Sequence, residues 1–132
     1  MRNVNAVVIV GLVLGCAAST ASAPLGDEFT AAPDQPLRIN GTEHRITLKA
    51  VRSDSRCPAD VTCVWAGNAE VSFRVEAPGV DTTVMLNTGI EPRAAKVGAI
   101  RIELMAVSPV PRSDTPIAAK DYRATLVARR VP

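Results

Sequence analysis

The sequence predicts one all-β domain, a small antiparallel β-sandwich or a small barrel with roughly six to seven strands. After residue 35, apolar residues recur with a period of two, which is the spacing of strands with one buried face. Ten prolines and eight glycines divide the chain into short segments, and helical periodicity is scarce. An export signal leaves about 110 residues, enough for one domain with one hydrophobic core.

Residues 1–15 are predicted to be a signal peptide. The apolar run Ala6–Leu14 is about half as long as the roughly 20 residues that a membrane span needs. It therefore fits the apolar region of an export signal rather than a transmembrane anchor. The protein is expected to be exported to the cell envelope.

Two cleavage sites are open. The segment Val13-Leu14-Gly15-Cys16 resembles a bacterial lipobox, which implies cleavage before Cys16 and attachment of a lipid to that cysteine. Cleavage after Ala23 is the alternative; it would give a secreted or soluble periplasmic protein, and Pro24 disfavours it. Lipidation also explains the odd number of three cysteines. The residue directly after Cys16 is Ala17 rather than aspartate. In a cell with two membranes, the analogy with lipoprotein sorting then favours an anchor in the outer membrane, facing the periplasm.

A flexible tether is predicted over residues 16–35, and the β domain over residues 36–132. Asn40-Gly41 indicates a two-residue hairpin, because both positions tolerate positive φ. Ala50 and Ala106 are expected on the buried faces of their strands. The predicted strands, each alternating apolar and polar residues, lie within Leu37–Ile39, Ile46–Ala50, Val71–Val75, Thr82–Leu86, Ile100–Ala106 and Tyr122–Ala128.

The segments between these strands are predicted from their turn residues. Ser53–Thr62 is named the cysteine loop and Ser108–Asp121, with three prolines, the proline loop. Pro78-Gly79 indicates a tight turn. Asn87–Gly98 is a long connection, in which Pro92–Val97 is compatible with a helical turn or two.

Cys57 and Cys63 are separated by five residues, and this spacing in an exported protein predicts a disulfide bond. Trp65 has an odd residue number, as do the apolar residues Val71, Phe73 and Val75 of the following strand. If that strand continued back to Trp65 without a break, the tryptophan would lie on the core face beside the disulfide. Gly67 is the residue that could break that parity. The cysteines are close together and Trp65 follows both, so an immunoglobulin-like sandwich is expected in architecture only, not a true immunoglobulin domain.

The cysteine loop is interpreted first as a structural brace and second as a rigid recognition surface. Redox chemistry would favour a C-x-x-C spacing, zinc would require more ligands than two cysteines and the distant His44, and the acidic spacing matches no familiar calcium loop. No cofactor or metal is therefore predicted. The residues of the candidate recognition loop are Asp54, Arg56, Pro58, Asp60 and Trp65.

Catalysis and nucleic-acid binding are not predicted. The single histidine, His44, has no partner for nucleophilic chemistry nearby and is expected to be an exposed strand residue; a small hydrolase with His44 as base is the weakest alternative. The 15 basic and 13 acidic residues are interspersed, and Arg129-Arg130 is expected to be a solvated strand end. The Tyr122 ring is expected to pack while its hydroxyl reaches a polar group.

The segment DSRCPADVTCVWAGNA, residues 54–69, resembles a pattern DSRCP-x-x-V-x-C-x-W-A-G-x-A found in a family of uncharacterised bacterial exported proteins. The later Leu104-x-x-Val107-Ser108-Pro109-x-Pro111 and Asp121-Tyr122 are similar to the same family, although Val110 stands where an aromatic residue is usual. The resemblance implies a lipoprotein with one small β domain and adds no activity.

These observations lead to a functional hypothesis. The protein is expected to be a non-enzymatic envelope lipoprotein, held to the membrane through the lipid on Cys16, that binds or scaffolds another envelope protein. The alternative is a protease inhibitor that uses the cysteine loop and the proline loop as wedges.

Overall fold

The computed structural model describes residues 10–12, 15–16 and 20–132. Within these residues the chain forms nine strands and one short 3₁₀ turn, Ala119–Asp121. No helix in the described part of the chain is long and apolar enough to cross a membrane. The strands are β1 Ser22–Ala23, β2 Glu28–Ala31, β3 Leu37–Ile39, β4 Arg45–Asp54, β5 Ala69–Ala77, β6 Val80–Asn87, β7 Ala94–Val97, β8 Ile100–Ser108 and β9 Arg123–Arg130.

The strands of the described residues make two sheets that pack as a β-sandwich. One sheet has the order β1-β3-β4-β5-β6 and the other the order β2-β9-β8-β7. Every pairing is antiparallel except that of β1 with β3. The predicted small sandwich is confirmed, and neither sheet closes into a barrel; nine strands replace the six to seven expected.

The core lies between the two sheets, and its side chains come from both. Phe73 and Leu126 are fully buried on opposite sheets and belong to one hydrophobic cluster. Strands β2 and β3 alternate buried and exposed positions, which is the pattern of a sheet with one solvated face, whereas β4 and β5 also bury Thr47 and Ser72 between their core residues. The largest fully buried side chains are Phe73, Ile39, Ile46, Leu48, Leu86, Ile100, Ile102, Leu104, Leu126, Val71 and Val75.

Two register shifts in β4 change which of its residues face the core. Leu48 lies opposite Phe73, but Val51 lies opposite Val71 and Asp54 opposite Ala69, because an extra residue is inserted after Leu48 and again after Val51. Phe73, Val71 and Ala69 are all buried core residues of β5. The expectation for Ala50 is therefore wrong, and Asp54 takes a core-facing position at the end of the strand.

A third shift, between Leu104 and Ala106 of β8, has the same effect. Val107 lies opposite the buried Ala124 and is itself buried, whereas Ala106 is exposed. The prediction that Ala106 faces the core is wrong for this reason.

The flexible tether predicted over residues 16–35 is wrong for residues 22–31. Strand β1 pairs with β3, and β2 pairs with β9 over four residues. Ala23, Phe29 and Ala31 are buried in the core. The folded domain therefore begins near Ser22 rather than at residue 36. Of the predicted signal peptide and lipobox, residues 1–9 and Val13-Leu14 lie outside the described residues.

The connection after β6 contains a strand within Pro92–Val97, the segment whose sequence is compatible with a helical turn or two. Ala94–Val97 forms β7 and pairs with β8 in the register Ala94 to Glu103. Val97 is buried, so this short edge strand completes the core of the second sheet.

The predicted turn at Pro78-Gly79 is confirmed, whereas the two-residue hairpin predicted at Asn40-Gly41 is wrong. Pro78-Gly79 joins β5 to β6 directly, since Ala77 pairs with Val80. Asn40-Gly41 lies in a five-residue connection, residues 40–44, in which the Thr42 amide donates to the Ile39 carbonyl at 3.1 Å and only Gly41 has positive φ.

His44 is buried, not exposed as expected. Its ring is 8% exposed and Nε2 donates a hydrogen bond to the carbonyl oxygen of Val97 at 2.9 Å. The five-residue connection turns the side chain inward under Gly98, instead of leaving it on the outer face of the strand. Among the described residues, Nδ1 of this ring has no hydrogen-bond partner.

Candidate functional site: the loop end of the sandwich

The connection from β4 to β5 is longer than the predicted segment Ser53–Thr62: it occupies residues 55–68, for which we use the name cysteine loop from here on, and it is held closed in two ways. Cys57 and Cys63 form the predicted disulfide, with their Cα atoms 5.9 Å apart. The Ser55 amide donates to the Asn68 carbonyl at 2.7 Å, and the Cys57 amide to the Ala66 carbonyl at 3.0 Å. These bonds continue the β4–β5 ladder beyond the strands, so the base of the loop is a rigid extension of the sheet.

Gly67 explains why the two arms of the loop approach so closely. Its φ is +71°, and a Cβ atom on this residue would lie 1.8 Å from the carbonyl oxygen of Ser55. A side chain cannot fit there, and positive φ is strained for residues other than glycine. The glycine also breaks the strand parity between residue 65 and β5, which begins at Ala69.

Asp54 and Arg56 form an ion pair at the base of the loop. Nε and Nη2 of Arg56 donate to Oδ1 and Oδ2 of Asp54 at 2.8 and 2.7 Å, and both side chains are 13% exposed. The same guanidinium donates to the carbonyl oxygens of Val107 at 2.6 Å and Pro109 at 3.0 Å. Tyr122, at the start of β9, donates its hydroxyl to Oδ2 of Asp54 at 3.0 Å.

We call Asp54, Arg56 and Tyr122 the clamp, because they join β4, the end of β8 and the start of β9. The Arg56 hydrogen bonds lower the pKa of Asp54, against the opposing effect of burial. Burial and the hydrogen bond to Asp54 raise the pKa of Tyr122. The expected polar partner of the Tyr122 hydroxyl is thus confirmed as Asp54.

The proline loop, residues 109–122, docks against the cysteine loop. The Ala59 amide donates to the Pro111 carbonyl at 2.8 Å, and the Ser113 amide donates to Oδ1 of Asp60 at 2.9 Å. The Ser113 hydroxyl donates to the other carboxylate oxygen of Asp60. These two bonds from Ser113 lower the pKa of Asp60. The cysteine loop and the proline loop, which are the two wedges of the protease-inhibitor alternative, therefore form one surface.

The β6–β7 loop, residues 88–93, meets the cysteine loop on its other side. The Asn68 side chain donates to Oδ1 of Asn87 at 2.9 Å and accepts from the Gly89 amide at 2.8 Å. A Cβ atom on Gly89 would lie 2.3 Å from the Gly67 carbonyl oxygen, so the backbones are in close contact. Three loops therefore converge at one end of the sandwich, which we call the loop end.

Trp65 lies on the surface of the loop end, and its predicted place on the core face is wrong. The side chain is 77% exposed, and its neighbour Val64 is 94% exposed. The reason is that residues 64–68 are not a strand, so the parity of β5 does not extend to Trp65.

Apolar exposure is concentrated at this end. Among the described residues, five of the eight exposed large hydrophobic side chains belong to the three loops. Two of the others, Val10 and Leu12, lie in the predicted signal peptide, and Met105 lies at the β8 register shift. The five are Val61, Val64, Trp65, Ile90 and Val110.

The residues of the candidate recognition loop therefore divide into two groups. The carboxylates and guanidinium of Asp54, Arg56 and Asp60 bond to the protein itself, while Trp65 is exposed and Pro58 is half-buried. Cys16 is exposed and unpaired within the described residues. Its lipidation stays a prediction.

The loop end also contains residues that sequence reasoning missed. Ser113 and Asn68 position the loops, and Val64, Ile90 and Val110 extend the apolar surface. For Val64, Ile90 and Val110 the sequence does contain a signal, because each is an apolar residue inside a loop otherwise rich in glycine, proline and aspartate.

The fold and the loop end together describe a small disulfide-braced β-sandwich with an apolar surface on three joined loops. Comparison of the chain with protein-family models, with curated proteins and with solved structures finds no match.

Proposed function

We propose that this protein is a non-enzymatic binding module of the cell envelope whose loop end docks on an apolar surface of another envelope protein. The observation that supports the proposal best is the exposure of Trp65 and Val64 on a loop whose base is rigidly held. Tryptophan is the residue type most enriched among those that dominate binding energy at interfaces. A braced loop presents it with little loss of conformational entropy on binding.

The polar contacts beneath the surface support the same function. The clamp, the Asp60–Ser113 bonds and the Asn68 bonds to Asn87 and Gly89 connect the three loops that carry the apolar side chains to one another and to the two sheets. The loop end is consequently a preformed surface rather than three independent loops. Exposed apolar patches rimmed by polar residues are typical of protein interaction sites.

We further propose that a lipid on Cys16 anchors the module. Strand β1 begins at Ser22, so only residues 17–21 separate the cysteine from the folded domain. Fully extended, five residues span about 17 Å. The tether would therefore hold β1 of the anchored module close to the membrane, whereas the loop end follows the other end of β4 from the part that β3 and β1 flank.

Photo-crosslinking in intact cells tests the docking surface. Replacing Trp65 with benzoylphenylalanine is expected to give discrete crosslinked bands that mass spectrometry identifies as envelope proteins. Benzoylphenylalanine at Met105, which is exposed but lies outside the loop end, is the matched control and is expected to give none. Equal crosslinking at both positions, or none at position 65, would contradict the proposal.

A second candidate function is inhibition of a protease, favoured by one observation. The cysteine loop and the proline loop lie side by side through the Ala59–Pro111 bond, as two wedges entering one cleft would. Titration against cysteine and serine proteases is expected to show tight, stoichiometric inhibition that Trp65→Ala weakens. Absence of inhibition at micromolar protein would eliminate this candidate and leave the docking proposal intact.

A further inference from the structure

Strand β4 loses its neighbour on one side halfway along its length. Strand β3 pairs only with Arg45 and Ile46, and Pro33 forms a single bridge to Leu48, whose carbonyl accepts from the Asp34 amide at 2.9 Å. Beyond Leu48, within the described part of the chain, β4 pairs with β5 alone. Its outer edge over residues 49–54 is therefore an open sheet edge, to which another strand can add.

A groove runs along this open edge. It has a volume of about 460 Å³, within the range of ligand sites, and separates residues 48–51 of β4 from the segment 119–123. Val51 and Tyr122 contribute half-buried apolar surface to its lining. Tyr122 belongs to the clamp, so the hydroxyl bond to Asp54 fixes the position of this wall. We call this space the edge groove.

The edge groove carries more positive than negative charge. Its lining includes three basic side chains, those of Lys49, Lys120 and Arg123, against the single carboxylate of Asp34, a difference of two positive charges. Lys49 is paired with Asp34 at 2.8 Å. Among the described residues, Lys120 and Arg123 make no ion pair, and Arg123 donates only to backbone carbonyls.

One nearby carboxylate does not cancel this charge within the groove. Asp121 lies between the two basic residues in sequence, but it lines a separate depression beside Pro109 and Val110. Within the described part of the chain, Lys120 and Arg123 therefore line the groove without an ion pair, since Asp34, the one carboxylate in the lining, is bonded to Lys49.

We infer that the edge groove binds a short extended peptide segment rich in aspartate or glutamate, which pairs with β4 beyond Leu48. Backbone hydrogen bonds to the open edge would give affinity, and carboxylates on alternate residues would meet Lys120 and Arg123. The register shifts on either side of Val51 limit the length of edge that a strand can follow, which favours a short segment. The edge groove shares the Ala119–Tyr122 segment with the proline loop, but the inference does not depend on the exposed apolar side chains of the loop end or on the proposed docking function.

The test uses defined peptides and the folded protein labelled with ¹⁵N. The probe is an acetylated and amidated heptapeptide that alternates glutamate with valine and threonine. One control peptide has lysine at each glutamate, and another has proline in place of its central valine. The glutamate peptide is expected to shift the amides of residues 49–52 and 120–123 in a saturable titration, and both control peptides are expected to bind at least about tenfold more weakly.

Charge reversal locates the binding site. Lys120→Glu combined with Arg123→Glu is expected to weaken binding by about tenfold or more, since two rim charges are removed and two opposing ones added. Lys96→Glu combined with Arg129→Glu changes the net charge equally on exposed strands away from the groove and is expected to leave binding within about twofold. Trp65→Ala is also expected to bind normally, which separates this site from the docking surface.

Several results would overturn the inference. These are no saturable shift at millimolar peptide, equal binding of the glutamate and lysine peptides, undiminished binding of the proline peptide, or equal weakening by both double reversals. Concentration-dependent shifts of the same amides without any peptide would instead show that a second copy of the chain pairs at this edge, and would also overturn it.

Discussion

The two arms of the cysteine loop differ in what their side chains contact. In the first arm, residues 54–57, the charged Asp54 and Arg56 are only 13% exposed and bond to the protein's own atoms. In the second arm, residues 61–66, the apolar Val64 and Trp65 are 94% and 77% exposed. The charged side chains thus act within the fold and the apolar ones face solvent, which reverses the usual distribution.

The difference has a physical origin in the strands that flank the loop. Two register shifts bring Asp54 to a core-facing position, where a carboxylate requires compensation, and Arg56 supplies it. Between the second arm and β5, Gly67 with its φ of +71° interrupts the strand, so Val64 and Trp65 do not follow the alternation of buried and exposed positions in β5. Chemically distinctive residues in one motif can therefore have different functions, one arm stabilising the fold and the other facing a partner.

The largest expected effect is that of breaking the first arm. Arg56→Ala leaves the Asp54 carboxylate without its ion pair and the carbonyls of Val107 and Pro109 without their donor. Because the pair is largely buried, the free energy of unfolding is expected to fall by about 2–4 kcal/mol. Urea denaturation measures it. Arg129→Ala, on the exposed end of β9, is the control with an expected change within about 0.5 kcal/mol. Equal effects of the two variants would show that the clamp is not a stabilising element.

The second largest expected effect is that of removing the Cys57–Cys63 disulfide, which links the two arms. The double variant Cys57→Ser, Cys63→Ser removes a closed loop of about seven residues, which is expected to lower the free energy of unfolding by about 2.4 kcal/mol in the chain-entropy description. The second arm has fewer other connections, so amide hydrogen exchange at residues 61–66 is expected to increase more than at residues 54–57. A uniform increase across both arms would contradict the difference between them.

Much of the sandwich follows from the sequence, because all six predicted alternating segments become strands. Strands β1, β2 and β7 are each four residues or shorter, so their alternation alone is weak evidence; the equally short β3 is predicted because the Asn40-Gly41 turn signal follows it directly. In β2 the buried Phe29 and Ala31 stand beside alanines and prolines that are equally typical of a linker. Their place in the core depends on pairing with β9, residues distant in the chain.

The candidate site was predictable in part for a similar reason. Cysteine spacing identifies the disulfide, and Tyr122 could be expected to need a polar partner. The inward position of Asp54 could not be predicted, since it depends on two register shifts that alternation alone does not reveal. The same holds for Trp65, whose parity argument fails because β5 starts four residues later.

A smaller effect on stability is expected from the titration of Asp54 in the first arm and of Tyr122, which donates a hydrogen bond to it. The pKa of Asp54 is below its usual 3.8 in the folded protein, so its contribution is present above that pH and is lost as pH falls through the folded value. The pKa of Tyr122 is above its usual 10.0, so its contribution is present below pH 10.0 and is lost as pH rises through the folded value. Unfolding free energies measured from pH 2 to 11 are expected to decline at both limits.

Two variants distinguish the loss of stability at low pH, attributed to Asp54, from the loss at high pH, attributed to Tyr122. Asp54→Asn is expected to reduce the acid-dependent decline, and Tyr122→Phe the alkaline one while leaving most of the acid decline in place, because Arg56 makes the larger contribution to the Asp54 pKa. Unchanged slopes in both variants would show that other groups determine the pH dependence.

The smallest expected effect on stability is that of removing the second arm's aromatic residue. Trp65→Ala is expected to change the free energy of unfolding by no more than about 0.5 kcal/mol, because the exposed ring has little buried surface to lose. Phe73→Ala, which removes a fully buried ring from β5, is the matched control and should cost about 3–5 kcal/mol. If thermal or urea denaturation showed the two aromatic residues to be equally important, Trp65 would be packed against the fold rather than available to a partner. A stable Trp65→Ala protein in which benzoylphenylalanine at the neighbouring, exposed position 64 no longer crosslinks the partner would instead assign Trp65 to binding alone.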